Sequence, residues 1–216
     1  MKLETNEFGN TGVQVTRLGY GAMELREGPE DLANNLLNLV VDSGINFIDT
    51  SIDYGDSEKL IGKFISHRRS EFFLASKCGC PIGTGEGHIF TKENITKGIN
   101  QSLKLLKTDY LDLVQLHNPI KNVVEENDVI QTLLEIKKEG KIRFIGTSSV
   151  LPALSDHINM NVFDAFQIPY SALNREHEGL ITSAAKSGAG TIIRGGVSKG
   201  EFGGNIEWDN FSKSNL

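Results

Sequence analysis

Short apolar or β-branched runs alternate along the chain with longer stretches in which apolar residues recur at helical spacing. The runs fall at Arg17 to Ala22, Asn46 to Ser51, Phe72 to Cys78, Tyr110 to His117, Ile142 to Ser149, Phe163 to Ser171 and Thr191 to Gly196, which predicts seven strands. A hairpin is expected ahead of them around Asn10-Thr11-Gly12.

Between the runs lie helix signals. Pro29 suits a first helical turn, Leu32, Leu36 and Val40 recur every four residues, and Gly44 supplies a stop. Thr91 can cap a helix whose Ile95, Ile99, Leu103 and Leu106 form one stripe. The segment from Asn127 to Lys138 repeats the theme with Ile130, Leu133, Leu134 and Lys137, and Gly140 stands at a plausible C′ position. Strand, helix, strand at a repeat of roughly 30 residues implies a parallel sheet with right-handed crossovers. Both a (β/α) barrel and a doubly wound open sheet satisfy that pattern.

Composition narrows the class further. With 216 residues, 38% of them hydrophobic and 23% charged, the chain can bury one sizeable core, and disorder, collagen-like repeats and a disulfide scaffold are excluded. The net charge of -6 gives no reason to attract a polyanion, so neither nucleic acid nor membrane is expected as a partner. Apolar stretches such as Leu36 to Val41, itself broken by Asn38, are far shorter than a membrane span. Met1 to Asn10 mixes charged and amide residues among its few apolar ones, unlike a secretory leader, so a cytoplasmic location is expected. Cys78 and Cys80 are too close for an ordinary bridge and too few for a zinc site without distant help, so packing is their default role.

In parallel α/β folds reactive groups gather at the carboxyl ends of the strands. The polar residues there are Asp49 with Thr50 and Ser51, Lys77, His117 with Asn118, Ser148 with Ser149, and Gln167; Tyr54 follows Asp49 in a short loop. Asp, Tyr, Lys and His on one rim form a coherent set for protonating a carbonyl compound. A lysine ammonium lowers the pKa of a neighbouring phenol, an aspartate holds that lysine charged, and a histidine orients the carbonyl. Each alone has a plainer reading: helix cap, solvated rim charge, packing tyrosine or satisfied core histidine.

The stretch from Gly44 through Asp49 and Tyr54 to Ser57-Glu58 resembles the signature of the aldo-keto reductase family, and Ala75-Ser76-Lys77 and Leu116-His117-Asn118-Pro119 follow in the family's order. The resemblance runs from about Leu3 to Gly200. It implies a parallel (β/α)8 TIM barrel that binds a nicotinamide cofactor without a Rossmann fingerprint, usually NADPH, with NADH as the alternative. It also implies an oxidoreductase that reduces an aldehyde or ketone to an alcohol by hydride transfer, its partner being a small-molecule carbonyl substrate. Carried over by position, Tyr54 is the proton donor, Lys77 and Asp49 tune it, and His117 orients the substrate. Ser148, Ser149 and Gln167 align with the residues that hold the nicotinamide carboxamide, Ser149 standing where an Asn is usual. Arg194 aligns with the ring-stacking position, and Val197 and Lys199 lie where the pyrophosphate would run.

The chain is short for this fold: a barrel of this type takes about 250 residues, and nothing recognisable as the seventh helix, eighth strand or eighth helix is present. The expectation is therefore a barrel over residues 1–200 with about seven strands, lacking its last βα unit, followed by a polar loop or the start of the seventh-helix region over 201–216. A complete barrel would be a monomer, whereas an open one invites an edge-mediated dimer. The alternative functions are a non-catalytic or redox-sensing nicotinamide-binding subunit, an inactive fragment, or aldol chemistry through a Lys77 Schiff base.

Overall fold

A computed structural model describes residues 3–26, 29–81 and 87–196. All seven predicted strands are present, six of them trimmed at one or both ends and the last shifted to begin one residue earlier: β3 (Tyr20–Gly21), β4 (Phe47–Asp49), β5 (Phe73–Cys78), β6 (Leu111–His117), β7 (Ile142–Ser148), β8 (Ala165–Pro169) and β9 (Gly190–Arg194). They form one parallel sheet in sequence order. The predicted hairpin is β1 (Thr5–Glu7) paired antiparallel with β2 (Gln14–Thr16). Simple sequential order with a helix in every connection is the topology of a curled (β/α) barrel sheet, and it removes the doubly wound alternative, whose strand order reverses direction. Among the described residues β3 and β9 are the two ends of the sheet. The proposed boundary at residue 200 lies outside the described residues.

The helices are α1 (Glu30–Asp42), α2 (Ser57–Phe64), α3 (Lys92–Leu106), α4 (Lys121–Glu126), α5 (Val129–Lys138), α6 (Ala153–Met160) and α7 (Glu178–Lys186). Thr91 caps α3 as expected, its hydroxyl accepting from the Asn94 N–H at 3.3 Å. Gly44 and Gly140 follow α1 and α5 with φ of 81° and 80°, the left-handed geometry that ends a helix. The buried face of α1 differs from the four-residue repeat in the sequence. Ala33, Leu37, Val40 and Val41 are buried, while Leu32 and Leu39 are 59% and 62% exposed. A strict four-residue step drifts around a helix of 3.6 residues per turn, and the small Ala33 lets the backbone approach its neighbours more closely than Leu32 would.

Two apolar layers hold the sheet. The larger lies between strands and helices and includes Leu37, Ile48, Ile61, Leu74, Ile99, Val114, Leu133, Ile145 and Phe166. The smaller fills the concave side with Phe8, Val15, Phe47, Phe73, Ala75, Leu113 and Ala165. Phe47 and Phe73 stack at 5.1 Å, and Phe8 lies 5.6 and 5.4 Å from them, so the hairpin supplies an aromatic plug to the floor. The plug reaches the far end of the sheet as well. The Asn10 N–H donates to the Gly188 carbonyl at 2.8 Å. A Cβ at Gly190 would stand 2.5 Å from the Phe8 ring, which is why that position takes glycine.

Candidate active site

Side chains two apart on a strand share a face, so the residues above the aromatic floor are set by counting upward from it. Above Phe47 stands Asp49; above Phe73 and Ala75 stands Lys77; above Leu113 stand Gln115 and His117. Ladder register carries the row around the sheet: Lys77 opposes Gln115, His117 opposes Ser148, and Ser148 opposes Gln167. The rim at the carboxyl ends is therefore polar because the inward positions switch from apolar to polar at one height.

Lys77 is buried, and its Nζ donates to Asp49 Oδ2 at 2.7 Å and to the Thr50 carbonyl at 2.9 Å. Gln115 Nε2 donates to the other Asp49 oxygen at 2.8 Å, so both carboxylate oxygens are engaged. The ammonium lies 4.8 Å from the centre of the Tyr54 ring. Tyr54 is placed by a tight turn: its N–H donates to the Ser51 carbonyl at 3.1 Å, and its own carbonyl accepts from the Ser57 N–H at 2.9 Å. Ser57 then anchors the turn by bonding the Thr50 hydroxyl and the Ala22 carbonyl.

The electrostatics correct one expectation. Burial raises the Tyr54 phenol pKa above its ordinary 10, and the Lys77 ammonium, which acts downward, only offsets part of that rise; Asp49 adds to it. For Lys77 burial is the largest single influence and acts downward, yet Asp49 and Tyr54 together leave its pKa raised, so it stays an ammonium. Burial pushes His117 down to about 4 against the pull of Asp53, and the ring is neutral at pH 7.

Around His117 the structure gathers residues that the strand-end argument did not single out. Cys80 Sγ lies 3.0 Å from His117 Nδ1, and Asp53 Oδ2 lies 3.4 Å from the same atom. Burial, with Asp53 adding, raises the Cys80 thiol to about 12. Gln115 and Glu58 also fall outside the strand-end argument. Gln115 carries a signal, being the one amide in the strand LDLVQLH, two residues before His117. Contact between Asp53, Cys80 and His117 depends on loop paths, which periodicity does not encode.

Of the residues aligned with cofactor contacts, Ser148 and Gln167 meet, the Ser148 hydroxyl donating to Gln167 Oε1 at 3.0 Å. The Ser149 hydroxyl is turned away, 3.2 Å from His157 Nδ1, and the residue is fully buried. Arg194 ends β9; burial lowers the pKa of its guanidinium, while Tyr54 and Asp49 act on it in the opposite direction. Val197 and Lys199 lie outside the described residues. No helix among the described residues is long and apolar enough to cross a membrane.

Comparison with known proteins finds the same architecture and related sequences. An aldo-keto reductase from Bacillus halodurans, AKR11C1, solved in its holo form, superposes with a TM-score of 0.86 at 27% identity, over 97% of this chain and 75% of that one. An uncharacterized oxidoreductase of Bacillus subtilis, YqkF, is 30% identical over 207 residues, 92% of this chain and 66% of that protein. L-galactose dehydrogenase of Arabidopsis thaliana is 38% identical over 162 residues, 69% of this chain and 49% of its own length. The chain thus spans about half to two thirds of the length of these curated relatives. The model of the aldo/keto reductase family matches residues 17–210, a span that begins just before the first strand of the parallel sheet and contains Asp49, Tyr54, Lys77 and His117. A sequential parallel sheet, its polar rim and a match over nearly the whole sequence agree: the chain belongs to the aldo/keto reductase family.

Proposed function

We propose that the protein is a nicotinamide-dependent carbonyl reductase, with Tyr54 as proton donor, Lys77 and Asp49 as its positioning partners, and His117 as the group that orients the substrate. The observation that carries this reading is the Asp49–Lys77 pair at 2.7 Å with its ammonium 4.8 Å from the Tyr54 ring. When bound, NADPH supplies a hydride to the substrate carbonyl carbon. The chain's own part is to hold that carbonyl and to supply a proton to its oxygen.

The phenol suits the task in its resting state. Its pKa stands above 10, so it is protonated at neutral pH, and Lys77 stabilises the phenolate that remains after the proton leaves. The lysine cannot itself be the donor of choice, because its pKa is raised and Asp49 and Thr50 already take two of its hydrogens. Neutral His117 supports the phenol. The Cys80 thiol keeps its proton, so its S–H can donate to Nδ1, which puts the imidazole proton on Nε2 for the carbonyl oxygen. Two donors then converge on one oxygen, the arrangement that stabilises a developing alkoxide.

The rim also fits the cofactor's carboxamide. Ser148 and Gln167 place a hydroxyl beside a primary amide one register step from His117, a donor and acceptor set matched to another amide. Ser149 would support that strand end through its bond to His157, and Arg194 would lie beside the nicotinamide. Val197 and Lys199 are assigned to the pyrophosphate by alignment alone.

The deciding experiment is reduction of simple aldehydes with NADPH and, separately, NADH by the parent chain and Tyr54→Phe. Losing a general acid should lower the rate by roughly 10²- to 10⁴-fold with cofactor affinity retained. Parent-like turnover by a folded Tyr54→Phe protein would remove the role given to this residue. Cofactor binding by the parent without turnover would select the non-catalytic nicotinamide-binding alternative instead.

A further inference from the structure

One cluster of side chains at the rim shares His117 and Cys80 with the proposed reductase site and adds a second imidazole and a carboxylate that carbonyl reduction does not call for. Asp53, Cys80, His88 and His117 each offer one ligand atom, and these atoms all lie within 4.8 Å of one another. Cys80 Sγ and Asp53 Oδ2 stand 3.0 and 3.4 Å from His117 Nδ1, and the rings of His88 and His117 meet edge to face with centroids 4.8 Å apart. The four come from the loop after β4, the turn after β5, the approach to α3 and the end of β6. The fold, not sequence proximity, brings them together.

Zinc binds thiolate sulfur at about 2.3 Å and imidazole nitrogen or carboxylate oxygen at about 2.0–2.2 Å, so a tetrahedral site sets its ligand atoms about 3.3–3.6 Å apart. The Cys80–His117 and Asp53–His117 spacings are already close to that range. The remaining gaps are at most 4.8 Å, and Asp53 and His88, the two exposed residues of the four, are the ones whose side chains would turn to close them. One sulfur, two imidazoles and one carboxylate suit a zinc-type ion; magnesium and calcium require shells of oxygen. The partner positions also argue against a mere solvated face, because Cys80 is only 2% exposed and His117 is half-buried.

We propose that Asp53, Cys80, His88 and His117 form a binding site for a zinc-type divalent cation at the mouth of the curled sheet. On binding, the Cys80 S–H bond breaks, its proton passes to solvent and a sulfur–metal bond forms; the other three residues give lone pairs, and the ion stays divalent. Thiolate and carboxylate together then balance the charge of the ion. Lys77, the buried cation of the rim, is already paired with Asp49 and does not need Asp53. Because the ion would take His117 Nδ1, the Nε2–H that the reductase reading aims at the carbonyl oxygen stays in place, and the ion and a carbonyl substrate would share one imidazole. That consequence rests on the reductase reading; the site itself does not.

Cobalt(II) is the probe. Added to the 216-residue chain without nicotinamide, it should give thiolate-to-metal charge-transfer absorption and the visible bands of a tetrahedral ion, saturate at one ion per chain, and be displaced by zinc. Cys80→Ser should abolish the charge-transfer absorption. His88→Gln, at an exposed position that should leave folding intact by circular dichroism, should weaken cobalt binding by more than the roughly 10- to 100-fold typical of losing an outer partner of a metal site. A folded parent chain without the charge-transfer band, or unchanged affinity in His88→Gln, overturns the site. A chain that gives the cobalt spectrum but reduces no aldehyde with either cofactor counts against the reductase reading and in favour of the site.

Discussion

Glu58 shows at the scale of one residue how burial and hydrogen bonding compete. It is 1% exposed at the start of α2, and its Oε1 accepts from the Ser76 hydroxyl at 2.6 Å. Burial raises its pKa from the ordinary 4.5 to about 7, with Ser76 and Ser102 acting downward. A carboxyl whose folded pKa is raised binds more protons folded than unfolded, so its contribution to stability is lost as pH rises from 4.5 through 7. The span corresponds to about 3 kcal/mol. Glu58→Gln, which keeps an acceptor for Ser76 and cannot ionise, should therefore be more stable than the parent at pH 8 by up to about 3 kcal/mol and similar to it at pH 5. Urea unfolding at the two pH values measures this; equal differences at both would show that Glu58 does not titrate in this window. The Asp49, Lys77 and His117 positions were legible because strand ends are countable, but the net effect on Tyr54 was not. Sequence shows that a lysine is available to stabilise a phenolate; how much water the fold removes from the phenol emerges only from packing.

Elements reveal a similar division. Helices with a strong stop or cap, α1, α3 and α5, are readable from Gly44, Thr91 and Gly140. The short α2 and α7 are not. The first buries Ser57 and Glu58 alongside Leu60 and Ile61, and the second buries only Ala184, so neither presents a clean apolar stripe. Gly62 makes the point quantitative. It sits inside α2, where replacing glycine by alanine normally gains about 1 kcal/mol. Here an added Cβ would meet the Leu105 carbonyl oxygen of α3 well inside van der Waals contact, and backbone cannot step aside as a flexible side chain can. Overpacking costs about 1–3 kcal/mol, so Gly62→Ala should destabilise despite its better helix propensity. Thermal melting checks the sign, and a raised Tm would mean that α2 and α3 are free to separate.

At the scale of the molecule, the two ends of the sheet among the described residues are unequal. β3 offers only two residues, a short edge of the kind that resists pairing, whereas β9 offers five and pairs only with β8 among the described residues. Ile193 on β9 is 45% exposed, and Leu39 on α1 is 62% exposed. We expect the chain to self-associate through the β9 edge, giving a concentration-dependent elution volume, and Ile193→Lys to shift the population toward monomer. Monomer at every concentration would show that this edge is covered. The order of strands and their parallel pairing were legible from the alternation of runs and helices, while the floor that holds the ends in place was not, because no periodicity links residues 8–10 to 188–190.

The same link between Asn10 and Gly188, with Phe8 against Gly190, has a consequence for timing. A ribosome adds about 5–20 residues per second, so partners separated by roughly 180 residues appear about 10–40 s apart. The hairpin precedes every strand of the parallel sheet, and the glycines it meets come just before and at the start of the last described strand. Over that interval Phe8 has Phe47 and Phe73 as partners before β9 exists, and the nascent sheet carries a half-lined floor. The arrival of Gly190 then adds β9 to that lining and joins the hairpin to it, so this contact at the floor waits for the synthesis of β9.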